Sequence, residues 1–101
     1  MYEIEIYKTA NGKEPYTEWL EGLDRAVRAK IKARVTWIRE TGNLGVYEPL
    51  DGGVHEIKFY FGSGYRIYFG IEENTILLLL LGGDKGPKQR NIGKLIYPKR
   101  R

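Results

Sequence analysis

The sequence predicts an α+β fold: a mainly antiparallel twisted sheet packed on two N-terminal helices, in the order β-α-α-β-β-β. Three observations carry this prediction. Tyr2-Glu3-Ile4-Glu5-Ile6-Tyr7 alternates apolar and polar residues, as a half-buried strand does. Val27, Ile31, Val35 and Ile38 recur at helical spacing. Three strand-like segments then follow: Val54 to Phe61, Tyr65 to Ile71, and Ile76 to Leu81.

Each element has its own signals. Asn11-Gly12 ends the first strand, and Pro15 suits the first turn of a short helix with Trp19, Leu20 and Leu23 on its apolar side. Asp24 is a natural N-cap for a second helix from Arg25 to Glu40, and Gly42 closes it in the left-handed conformation. Arg28, Lys32 and Arg39 lie off the apolar stripe, toward water or a partner. Residues 42–53, with four glycines and a proline, read as a loop. Glu73-Asn74 turns the chain into the last strand, which is apolar on both faces and therefore expected to be covered on both. Gly82-Gly83 breaks that strand. Pro87 opens a short C-terminal helix that Pro98 stops.

With 101 residues and no repeat or linker, residues 1–101 are expected to form a single domain. The chain has no cysteine, which excludes a disulfide scaffold, thiolate zinc and a cysteine nucleophile. A single histidine excludes a His-rich metal site, and no metal is expected. The balance of 30 % charged and 42 % hydrophobic residues is that of a globular chain. No signal-peptide pattern follows Met1, and the apolar run Ile76 to Leu81 is too short for a bilayer. A soluble cytoplasmic protein with no membrane partner is the expectation.

The net charge of +4 is unevenly spread. Residues 1–24 carry −4, residues 25–41 carry +5, residues 42–83 carry −3 and residues 84–101 carry +6. Cationic segments attract phosphate backbones, although a solvated helix face and a solubilising tail have the same composition.

The most informative stretch is His55 to Ile71. A three-residue turn, Gly62-Ser63-Gly64, pairs Phe61 with Tyr65, Tyr60 with Arg66, Phe59 with Ile67 and Lys58 with Tyr68. Ile57, Phe59, Phe61, Tyr65, Ile67 and Phe69 then share a core face. Glu56, Lys58, Tyr60, Arg66 and Tyr68 share the other. Lys58 and Arg66 are the only basic residues of the −3 segment, and both fall on that polar face. Arg66 offers phosphate a planar fork and Lys58 a point charge, and the tyrosines suit base stacking. The plainer reading is a solvated face with cross-strand ion pairs. His55 has core-face parity at a strand end and is more simply structural than catalytic. Trp19 and Trp37 read as packing anchors. Gly82-Gly83-Asp84-Lys85-Gly86 lacks the full phosphate-loop pattern.

The element order, the strand His55-Glu56-Ile57-Lys58-Phe59, the hairpin segment Gly64-Tyr65-Arg66-Ile67-Tyr68-Phe69 and the run Leu80-Leu81-Gly82-Gly83-Asp84-Lys85 together resemble RelE/HigB-type toxins. The match is best with the phage-derived HigB-like "addiction module killer protein" branch, and it extends from Tyr2 to about Ile92. The resemblance implies a RelE-like fold and the toxin of a type II toxin–antitoxin module. Such a toxin is a ribosome-dependent mRNA endonuclease that needs no metal or organic cofactor. It also implies a helix-turn-helix antitoxin as partner, in a toxin–antitoxin hetero-oligomer, with ribosome and mRNA as targets. Carried over by position, Arg66 and Lys85 bind the phosphate and its transition state. Lys58 stabilises charge or acts as base, with Glu56 as an alternative base. Arg90 matches a further basic position of the family and is expected to contact RNA; Lys88, Tyr60 and Tyr68 are expected to contact RNA on their own chemistry. Gly93 and Pro98 depart from the longer C-terminal helix of the family, and Tyr97 is the remaining aromatic there. Two other readings share the fold: a ParE-like gyrase-inhibiting toxin, and a non-catalytic relative that only binds antitoxin.

Overall fold

The computed structural model describes residues 2–73 and 76–83. The order is β1 (Glu3–Ile6), α1 (Pro15–Glu21), α2 (Arg25–Thr41), β2 (Glu48–Pro49), a 3-10 turn (Asp51–Gly53), β3 (His55–Lys58), β4 (Arg66–Glu72) and β5 (Ile76–Gly83). The strands form one sheet in the order β1-β5-β4-β3-β2. All pairs are antiparallel except β1 with β5, which run parallel. The expected α+β architecture is therefore present. The expected C-terminal helix lies outside the described residues.

The helices form where their punctuation dictates. Asp24 accepts a hydrogen bond from the Ala26 N–H at 3.1 Å, satisfying one of the orphan donors at the start of α2. Gly42 closes α2 at φ 72°, donating its N–H to the Ile38 carbonyl. Ile31 and Ile38 of the apolar stripe are fully buried, and Val27 and Val35 pack beside them. They meet Ile57, Phe59, Ile67, Phe69 and Leu79 from one face of the sheet, with Tyr16 and Leu20 of α1. The opposite sheet face has a smaller cluster of its own. There Val54 and Tyr68 are buried with Tyr7, Leu50 and Leu81 around them.

Three sequence expectations need correction. Residues 42–53 are not wholly loop: Glu48–Pro49 adds an edge strand to β3. Pro49 is tolerated because an edge strand leaves one side of its backbone unpaired. Gly82-Gly83 does not break β5, since both residues pair with β4, opposite Ile67 and Arg66. Gly82 has no side chain because the Trp19 ring occupies that space. Finally, the β3–β4 hairpin is in a different register. Lys58 faces Arg66, Ile57 faces Ile67, Glu56 faces Tyr68 and His55 faces Phe69. The last rung is the Phe59 N–H to the Tyr65 carbonyl at 2.8 Å, and the Gly64 N–H closes a turn on the Phe61 carbonyl. Gly62 and Gly64 have φ of 58° and 81°, which widens the connection to residues 60–64. The shift is by two residues. Side-chain alternation has period two, so both faces keep their expected members.

Candidate functional site

The new register places Lys58 and Arg66 directly opposite each other on β3 and β4. On the neighbouring rung, Glu48 of β2 stands opposite Glu56 of β3. Like charges in register repel, so each rung alone is unfavourable. The diagonals resolve the conflict. Arg66 Nη1 donates to Glu56 Oε2 at 3.0 Å, and Lys58 Nζ lies 3.5 Å from Glu48 Oε1. Two cations and two acids thus alternate over three adjacent strands.

The two pairs differ in environment. The Glu56 and Arg66 side chains are 2 % and 13 % exposed, whereas those of Glu48 and Lys58 are 62 % and 35 % exposed. Arg66 Nε is buried and has no hydrogen-bond partner among the described residues. A guanidinium has five N–H donors, so the Glu56 bond leaves most of the fork uncommitted.

Lys58 lies between two open depressions. One, of about 420 Å³, is lined among the described residues by Lys58, Arg66 and the hairpin residues 59–64. The other is smaller, and Tyr47, Glu48, Glu56, Lys58 and Tyr60 line it. Tyr60 is 84 % exposed at the hairpin, with its ring free to meet a planar ligand. Tyr68 is on the expected face but buried against Val54, Tyr7, Leu50 and Leu81, which leaves little of its ring for a base. Lys85, Lys88 and Arg90 lie outside the described residues.

His55 is not part of this constellation. It stacks on Phe69 at 5.4 Å and meets Tyr47 edge-on at 5.6 Å. Burial pushes its imidazole below the ordinary 6.5. Its Nδ1 has no partner among the described residues. Three cations of α2 have duties in packing. Arg28 donates to the carbonyls of Glu21 and Leu23, both at 3.3 Å, which caps the end of α1. Lys30 sits 4.6 Å over the Phe61 ring, and Arg34 lies over both Trp37 and Phe59. Arg28 is thus not simply turned to solvent.

Glu48 is the site residue that the sequence reading missed. The one signal there was Pro49, which a sheet edge tolerates and a loop equally favours. The glycines on either side obscured it.

No family model matches the chain. An uncharacterized protein of Haemophilus influenzae is 32 % identical over 78 residues, spanning 76 % of this chain and 78 % of that one. The chain belongs to the family of that protein. Among solved structures, the Escherichia coli RelBE toxin–antitoxin complex contains a similar chain. Its TM-score is 0.63 at 18 % identity, covering 86 % of this chain and 100 % of that one. The isolated E. coli RelE toxin has a TM-score of 0.63 at 17 % identity, covering 94 % and 96 %. The fold is therefore that of RelE, while at such identity the active residues do not transfer. No helix among the described residues is long and apolar enough to cross a membrane.

Proposed function

We propose that this chain is the toxin of a toxin–antitoxin module and that it cleaves mRNA on the ribosome. The observation that carries this reading is the Lys58–Arg66 rung. Two cations are held face to face beside an open depression, each steadied by its own acid. With the diagonal acids offsetting their mutual repulsion, the two cations stay side by side where a phosphate can meet both. Metal-independent RNA cleavage uses the ribose 2′-hydroxyl as nucleophile on the adjacent phosphorus. The bond to the departing 5′ oxygen breaks, leaving a cyclic phosphate. Arg66 and Lys58 stabilise the charge that grows on the phosphorane oxygens, each such group being worth roughly 3–4 kcal/mol. Glu48 is the exposed carboxylate beside them and serves as the base for the 2′-hydroxyl. Tyr60 supplies a stacking face. Lys85 keeps its proposed role in binding the phosphate and its transition state, with Lys88 and Arg90 on the RNA. The antitoxin is proposed to be a helix-turn-helix protein.

The test combines purified protein, ribosomes and a defined mRNA, with reverse-transcription mapping of new 5′ ends. Cuts at codon-registered positions are expected, with the rate falling about 100- to 1,000-fold in Arg66→Ala. Intact mRNA with growth arrest and a DNA-damage response on expression would overturn the nuclease reading in favour of gyrase inhibition.

A further inference from the structure

Glu56 is the most buried charged residue described; it borders the smaller depression, but its carboxylate is bonded along the sheet to Arg66. A side chain 2 % exposed is poorly placed to receive a proton from an incoming hydroxyl. Its bond to Arg66 Nη1 leaves the Nε edge of the guanidinium uncommitted, and Nε itself is buried without a partner among the described residues. A largely buried Arg with a donor unsatisfied is costly, and its charge-assisted bond to Glu56 offsets part of that cost. Lys58 stands directly across and would push a free guanidinium away. Glu56 opposes that repulsion from the diagonal.

From this geometry we infer that Glu56 is a positioning residue, not the base: it fixes the Arg66 guanidinium against Lys58 repulsion so that the part of Arg66 lining the larger depression meets a phosphate oxygen. The inference rests on the RNA-cleavage reading for its kinetic consequence, and on the buried ion pair alone for its structural one.

Glu56→Gln is the informative variant, because it keeps volume and an acceptor while removing the charge. Glu56→Ala, by contrast, leaves a buried cation uncompensated and is expected to unfold readily. In ribosome-dependent cleavage, Glu56→Gln is expected to lower kcat about 100-fold with KM little changed, the scale of a misplaced catalytic group. In an Arg66→Ala background the same substitution is expected to change the rate less than about threefold, because the two residues act as one unit. A Glu56→Gln enzyme of wild-type rate would overturn the inference, as would an undiminished loss in the Arg66→Ala background. The second readout needs no catalysis. In ¹⁵N NMR, the Arg66 Nε–H is expected as a distinct, slowly rotating guanidinium signal in wild type and as an averaged one in Glu56→Gln. If wild type cuts no mRNA but this signal changes as stated, the functional reading fails and the positioning role stands. An unchanged signal removes the positioning role.

Discussion

Gly82 and Trp19 behave as a single packing unit. The strand passes directly beneath the indole, and any Cβ at Gly82 would overlap the ring. Gly82→Ala is therefore expected to destabilise by roughly 1–3 kcal/mol through overpacking, measured by urea unfolding. The sequence shows this glycine plainly but not its reason. A glycine that ends a strand and one that admits a ring from α1 look alike until the helix is placed. Tyr16 is a second residue whose role is set by burial, which pushes its phenol from the ordinary 10 up to about 12. The folded state then holds the phenolic proton more tightly than the unfolded chain. The associated stability is complete below pH 10 and is lost as pH rises toward 12. That loss is about 2–3 kcal/mol for two pKa units. Urea unfolding at pH 9 and pH 11.5 is expected to show Tyr16→Phe losing less stability than wild type over that interval.

At the scale of elements, the hairpin and its edge strand determine the site. The sequence identified which residues share the polar face, because alternation fixes parity. It did not identify which residues stand opposite each other, because a slip of two preserves parity and only the turn decides. Five residues, 60–64, make that turn, with Gly62 and Gly64 at positive φ. Gly64→Ala is expected to cost about 1–2 kcal/mol, the ordinary penalty for a left-handed residue with a side chain. The cleavage rate is expected to fall further than the folded fraction does, because the same turn sets Lys58 against Arg66. Circular dichroism and single-turnover cleavage on one sample compare the two losses. The edge strand was illegible for a related reason: two residues are too few for periodicity to declare themselves. Glu48 enters the site only once β2 is laid beside β3.

Over the whole molecule, the element order was legible and the sheet order was not. β1 pairs with β5, more than seventy positions away along the chain, and no local pattern marks such partners. Net charge is likewise a poor guide to where an anion binds. The most cationic described stretch is α2, yet Arg28, Lys30 and Arg34 are engaged in capping α1 and covering aromatic rings. The Lys58–Arg66 rung lies instead in a segment whose net charge is −3. If local geometry rather than overall charge governs RNA contact, the salt dependence of binding resolves the difference. Each phosphate contact to a single strand contributes about 0.7 to the slope of log K against log salt. Fluorescence anisotropy with a labelled single-stranded RNA is then expected to lose about 0.7 of slope in Lys58→Ala and again in Arg66→Ala. Arg28→Ala removes the same formal charge and is expected to leave the slope unchanged while lowering the unfolding midpoint, since its guanidinium holds the carbonyls at the end of α1. Equal slope losses in all three variants would mean that the protein meets RNA through its general field, and the paired cations would lose their special standing.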